Sequence, residues 1–138
     1  MEFVDLSPKH QKSLEKLFFQ LTGHEVSDVN IEKMLQDKQN FYAALEEDGH
    51  LIGFGALIIY RVPSAGEVGR IEDVVVDENY RQKGFGKLLV EKLISIAKEK
   101  NLKKINLTSN PQRIAAHKLY EKLGFQKRAT DVFVLELV

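Results

Sequence analysis

The sequence predicts an α/β fold with a mixed sheet, and three observations carry that expectation. A valine-rich strand at Val74 to Val76 breaks into a basic, glycine-containing loop, and an amphipathic helix opens near Gly84. A further strand, Lys103 to Leu107, follows that helix, and a strand, helix, strand succession of this length makes a right-handed crossover between parallel neighbours. Upstream, Asp48-Gly49-His50 separates two apolar runs with the chemistry of a tight antiparallel hairpin.

Each element has a local reason. Glu2 to Leu6 alternates as a first strand, and Ser7-Pro8 supplies an N-cap with proline at the first helical position. Leu14, Leu17, Phe18 and Leu21 form one face of a helix that Gly23 ends. Ser27 caps a second, short helix whose buried side carries Ile31, Met34 and Leu35. The hairpin strands are Phe41 to Glu47 and Leu51 to Tyr60, and Pro63 to Gly66 turns the chain into the next strand. There Ile71, Val74, Val75 and Val76 are strand formers, and Glu78-Asn79-Tyr80 breaks the run. Phe85, Leu88, Leu89, Leu93, Ile96 and Ala97 recur at helical spacing, and Asn101 takes the left-handed position that ends the helix. Asn110-Pro111 starts a last helix on which Arg113, Ala116, Tyr120 and Leu123 share a face. Phe125 to Lys127 and Asp131 to Leu137 are expected to finish the sheet. The order is β-α-α-β-β-β-α-β-α-β-β, in one domain over residues 1–138.

Composition excludes several classes of function. Twenty basic and twenty acidic residues cancel, so no global positive field argues for nucleic acid or an anionic membrane surface. The absence of cysteine removes disulfides, thiolate nucleophiles and thiolate metal sites together. His10, His24, His50 and His117 are scattered without metal-ligand spacing, so no metal is expected. No apolar run approaches membrane-spanning length, and the start lacks a basic region followed by an apolar segment. A cytoplasmic protein is therefore expected.

The loop after Val76 is an anion-binding design. A helix beginning near Gly84 turns its unpaired N–H groups toward the loop, and Gly84 and Gly86 have no Cβ to keep a ligand away. Several amides and the helix dipole would stabilise a phosphate there. A Walker loop needs glycine and a hydroxyl where Arg81 and Leu88 stand, and a dinucleotide fingerprint needs a small residue at Leu89. What remains is Arg81-x-x-Gly84-x-Gly86 after a valine-rich strand, with Tyr120-Glu-Lys-Leu-Gly-Phe125 one helix and one strand later. The pair resembles the GNAT superfamily of N-acetyltransferases, over roughly residues 40 to 130.

That resemblance implies a GNAT-type α/β sandwich: a mixed, mostly antiparallel sheet, splayed between its two central parallel strands and flanked by about four helices. It implies acetyl-CoA as cosubstrate, with the pyrophosphate on the amides of Gln82, Lys83, Gly84, Phe85, Gly86 and Lys87 and charge from Arg81 and Lys83. The pantetheine arm would pair with Val74, Val75 and Val76 like an added strand. Tyr120 would protonate the departing thiolate, and the Val74 N–H would receive the oxyanion. Glu72 and Asp73, with Glu72 preferred, are the candidate bases, and strand alternation turns them to opposite faces so that only one meets the amine. Many relatives carry asparagine at the position of Arg113, so Arg113 and Asn110 are candidate contacts to coenzyme or acceptor, and His117 lies one turn away.

The expected reaction is direct transfer to a primary amine on a small molecule; a protein N-terminus or lysine is the alternative acceptor, and a non-catalytic CoA-binding sensor the alternative role. The acceptor pocket is expected from the first two helices, the loop Thr22 to Asp28 and the turn Arg61 to Gly66, with Glu25, Asp28 and Glu67 as attractors of a cationic amine. The apolar tail Val132 to Val138 permits a homodimer.

Overall fold

The computed structural model describes residues 1–138, which form two compact units, Met1–Leu107 and Thr108–Val138. The first unit holds a five-stranded sheet whose spatial order follows the chain: β1 (Glu2–Val4), β2 (Asn40–Glu47), β3 (His50–Val62), β4 (Gly66–Val76) and β5 (Ile105–Asn106). Neighbours are antiparallel except β4 and β5, which are parallel. Its helices are α1 (Gln11–Thr22), α2 (Ile31–Gln36) and α3 (Phe85–Glu99), and α3 makes the crossover from β4 to β5. The second unit has one helix, α4 (Ile114–Lys122).

Local chemistry accounts for most boundaries. Asp48 and Gly49 both take positive φ, 52° and 82°, as a tight two-residue hairpin requires. Gly23 ends α1 in the left-handed region and donates its N–H to Phe19 O at 2.8 Å. Helix α2 starts later than Ser27 would dictate. Asn30 is its cap, accepting from the Lys33 N–H at 3.0 Å, because Gln11 holds the preceding loop extended. The Gln11 amide donates to Val29 O at 2.7 Å and accepts from the Ile31 N–H at 3.2 Å.

The sheet is covered on both faces. Leu14, Leu17 and Phe18 of α1 and Ile31 of α2 pack with Ala44, Phe54, Ala56 and Val75. Leu89, Val90, Leu93 and Ala97 bury the inner side of α3, and each such leucine taken from water contributes about 1.5–3 kcal/mol. Side-chain alternation along β3 separates the faces: Phe54 joins the α1 core, whereas a Cβ on Gly53 would stand 3.0 Å from the Leu89 side chain. Gly69 permits the closest approach. A Cβ there would lie 2.8 Å from Leu57 and 2.9 Å from Ile105 and Leu102, at the point where β4 meets β5.

Pairing of β4 with β5 is confined to Gly69 with Ile105 and Arg70 with Asn106, so the expected splay is present and β5 is shorter than Lys103 to Leu107. The two final strands are not formed. Residues 125–127 and 131–137 have no ladder partner, and Phe133 is 93% exposed. Their β-branched and apolar composition is compatible with strand, but a strand exists only with a neighbour to bond, and the second unit contains none.

Candidate active site

Strand β4 departs from regularity where the chemistry was expected. Phe54 of β3 faces Val75, yet Ala56 faces Glu72, so Gly55 alone opposes the two residues Asp73 and Val74. This is a β-bulge, and Asp73 provides its left-handed turn with φ 55°. Aspartate is among the few residues besides glycine that enter this region readily. The bulge removes Asp73 and Val74 from register with β3, and the splay removes them from β5. Val74 to Val76 thus present a free edge on the β5 side, the arrangement that accepts an extended partner.

Beyond this edge comes the glycine loop. Gly84, at φ 86°, is the N-cap of α3, and Gln82 is also left-handed at φ 64°. None of the six main-chain N–H groups from Gln82 to Lys87 donates to another protein group; the first bonded amide is that of Leu88, to Gly84 O at 3.2 Å. Such a run of amides is an anion nest. Nothing lies within 4 Å of where a Gly84 Cβ would be, so the nest is open. Lys83 and Lys87 are exposed beside it, while Arg81 donates through Nε to Val76 O at 3.0 Å and ties the loop to its strand. The root of the loop is pinned from α1. Buried Asp77 receives the Asn79 N–H at 2.9 Å and the Gln20 amide at 3.3 Å, and Gln20 accepts the Glu78 N–H at 2.9 Å.

On the α1 face a cavity of about 350 Å³ opens against the bulge. Phe18, Val26, Val29, Met34, Phe54 and Ile58 supply its apolar wall; Asp28, Asn40, Tyr42, Glu72 and Asp73 supply the polar one. Glu72 and Asp73 therefore border one space, and the expectation of opposite faces fails because the bulge interrupts alternation. Their states differ. Glu72 accepts a charge-assisted hydrogen bond from Arg70 Nε at 2.5 Å. Asp73 has no such partner; although it reaches solvent, desolvation by the surrounding protein, and then the charge of Glu72, raises its pKa above the ordinary aspartate value. Of the expected pocket elements, α1, α2 and the loop before α2 contribute, while the turn at 61–66 does not, and of the three proposed attractors only Asp28 lines the space. Tyr42 and Asn40 were not anticipated; their positions on the alternating β2 strand were the available signal.

In the second unit, Tyr120 sits in a helix ending of Schellman type. The Phe125 N–H donates to Tyr120 O at 3.0 Å and the Gly124 N–H to Glu121 O at 3.1 Å, with Gly124 at φ 99°. The rings of Tyr120 and Phe125 meet edge to face at 5.9 Å. Burial raises the Tyr120 pKa, partly opposed by the Arg113 charge, which keeps the phenol protonated at neutral pH. Arg113 is exposed at the start of α4. Asn110 forms the preceding turn, its side chain accepting the Gln112 N–H at 3.0 Å. His117 has its Nε2 buried without a hydrogen-bond partner.

Known proteins resemble this chain in sequence and in fold. The family model described as "Acetyltransferase (GNAT) family" matches residues 8–125. The chain belongs to the GNAT acetyltransferase family. It is 40% identical over 80 residues to a glucosamine 6-phosphate N-acetyltransferase of Trypanosoma brucei brucei, covering 56% of this chain and 52% of that one. It is 34% identical over 102 residues to an N-acetylaspartate synthetase of Xenopus tropicalis, covering 74% of this chain and 36% of the other. The matches thus span about half or less of these curated relatives. A putative acetyltransferase from Agrobacterium tumefaciens superposes with a TM-score of 0.86 at 23% identity, over 99% of this chain and 100% of that chain, and shows the shared fold. No helix is long and apolar enough to cross a membrane.

Proposed function

We propose that this protein transfers the acetyl group of acetyl-CoA to a primary amine on a small molecule, by direct attack within a ternary complex. The observation that carries the reading is the run of six unbonded amides from Gln82 to Lys87, continuous in sequence with the unpaired edge of β4. The nest suits a diphosphate and the edge suits an extended amide-bearing arm, the two halves of coenzyme A. A glucosamine 6-phosphate N-acetyltransferase and an N-acetylaspartate synthetase among the relatives support a small amine-bearing acceptor.

An amine of pKa ~10.4 is protonated at neutral pH, and freeing its lone pair costs about 4–5 kcal/mol. Asp73 is the base in this scheme, taking the proton directly or through water. Burial raises its pKa above the ordinary aspartate value and no cationic side chain engages it, whereas Glu72 is engaged by Arg70. The freed nitrogen forms a C–N bond at the thioester carbonyl, and the Val74 N–H at the bulge stabilises the oxyanion. As the C–S bond breaks, the thiolate takes the Tyr120 phenolic proton. The Tyr120 role rests on the family motif and on a phenol held protonated by burial. As the intermediate collapses, the nitrogen sheds its second ammonium proton, which returns through solvent to the Tyr120 phenolate, and Asp73 releases the proton it gained to solvent.

The test is calorimetric titration of CoA onto the full chain, with acetyl-CoA consumption and product mass followed across an amine panel. CoA binding and amine-dependent release of free thiol are expected. Failure to retain CoA ends the proposal.

A further inference from the structure

The cavity beside the bulge selects its occupant by charge. Resting on the reading of this protein as an amine acetyltransferase, we infer that its acceptor is a small cationic amine on an apolar alkyl or aryl body, and not an amine that also carries phosphate or carboxylate.

Three carboxylates, Asp28, Glu72 and Asp73, line the cavity, and no lysine, arginine or histidine does. The guanidinium nearest in the chain, Arg70, is already bonded to Glu72. Asp28 and Asp73 are thereby left without a cationic partner, since no salt bridge forms at either. The raised pKa of Asp73 has the Glu72 charge among its causes, so the polar wall already carries negative repulsion. A cation relieves that repulsion, and an anion adds to it.

The rest of the wall sets the shape. Phe18, Phe54 and Tyr42 form an aromatic group, with Phe18 to Phe54 edge to face at 5.5 Å and Tyr42 stacked on Phe54 at 5.7 Å. Val26, Val29, Met34 and Ile58 complete an apolar surface. The Tyr42 hydroxyl already donates to Met34 O at 3.2 Å, so the polar contacts left to an occupant are concentrated at the carboxylates and Asn40. A hydrocarbon body of up to roughly a dozen non-hydrogen atoms fills 350 Å³. A cation beside aromatic faces gains further attraction.

The two relatives described above bear names of acids: a sugar phosphate in one and an aspartate product in the other. The charge of this cavity separates the chain from that pair.

The experiment titrates four amines calorimetrically onto the full chain: phenylethylamine, 1,5-diaminopentane, aspartate and glucosamine 6-phosphate. Binding is measured directly, so the preference is decided whether or not turnover occurs, and CoA is titrated separately. At least one of the first two should bind at least tenfold more tightly than either acid. Asp28→Lys, a change at an exposed loop residue, should weaken the cations by at least fivefold and narrow or invert the ratio. That reciprocal switch is a readout that loss of structure would not produce. Tighter binding of either acid, equal binding of all four, or no binding of any overturns the inference. CoA binding together with any of those outcomes leaves the acetyltransferase reading standing and removes only the acceptor class; absence of CoA binding removes the former instead.

Discussion

Replacing Gly84 by alanine tests the nest most directly. Gly84 has φ 86° and nothing within 4 Å of its missing Cβ, so the substitution introduces no clash, and its cost is confined to the backbone. An L-residue in the left-handed region costs about 1–2 kcal/mol. If the loop keeps its conformation, that cost appears as lost stability, a fall in Tm of roughly 3–7 °C for a chain of this length. If the loop relaxes to negative φ, the amides change direction and the cost appears in affinity, as about a 5- to 30-fold rise in the Kd for CoA. Differential scanning calorimetry and isothermal titration separate the two, and the combined loss should be about 1–2 kcal/mol. Pantetheine, which lacks the diphosphate, is the control and should lose no affinity. An unchanged Kd together with an unchanged Tm, or equal losses for CoA and pantetheine, would refute the assignment of these amides to the diphosphate.

Asp73→Asn should lower kcat by about 10²-fold or more, because it removes the base while asparagine tolerates the same positive φ. Ionised Asp73 is disfavoured in the folded protein, so its contribution to stability is present below the ordinary aspartate pKa and lost as pH rises through the raised value. The variant should therefore be as stable as the parent, or more so, at neutral pH, as thermal unfolding will show. Glu72→Gln removes a charge that raises the Asp73 pKa, so the acidic limb of the kcat/KM profile should move to lower pH; movement upward would count against Asp73 as base. Tyr120→Phe should reduce kcat by about 10²-fold with little change in KM, and an undiminished kcat would remove tyrosine from the scheme. Gly69→Ala places a Cβ within 2.9 Å of Leu57, Ile105 and Leu102, and should destabilise the fold by about 1–3 kcal/mol in chemical denaturation.

Features set by residues close in sequence were legible without the fold. Asp48-Gly49 makes its hairpin because both residues enter positive φ readily, and Tyr120 to Phe125 ends a helix because Gly124 does the same. The loop from Arg81 to Lys87 was readable for the same reason: glycine spacing and a helix start leave amides unpaired wherever the chain goes. The crossover of β4, α3 and β5 followed from element order and chain handedness.

Tertiary structure decided whatever depends on a partner distant in the chain. Strand signals at Phe125 to Lys127 and Asp131 to Leu137 name residues fit for a ladder without supplying a neighbour, and none is present. Alternation put Glu72 and Asp73 on opposite faces, but the register imposed by Gly55 and Ala56 inserts a bulge and brings both to one cavity. The charge of that cavity likewise arises where Asp28, from a loop far back in the chain, meets the bulge of β4. Periodicity and capping act over a few residues and are written locally; register and the electrostatics of a pocket are sums over residues that only folding brings together.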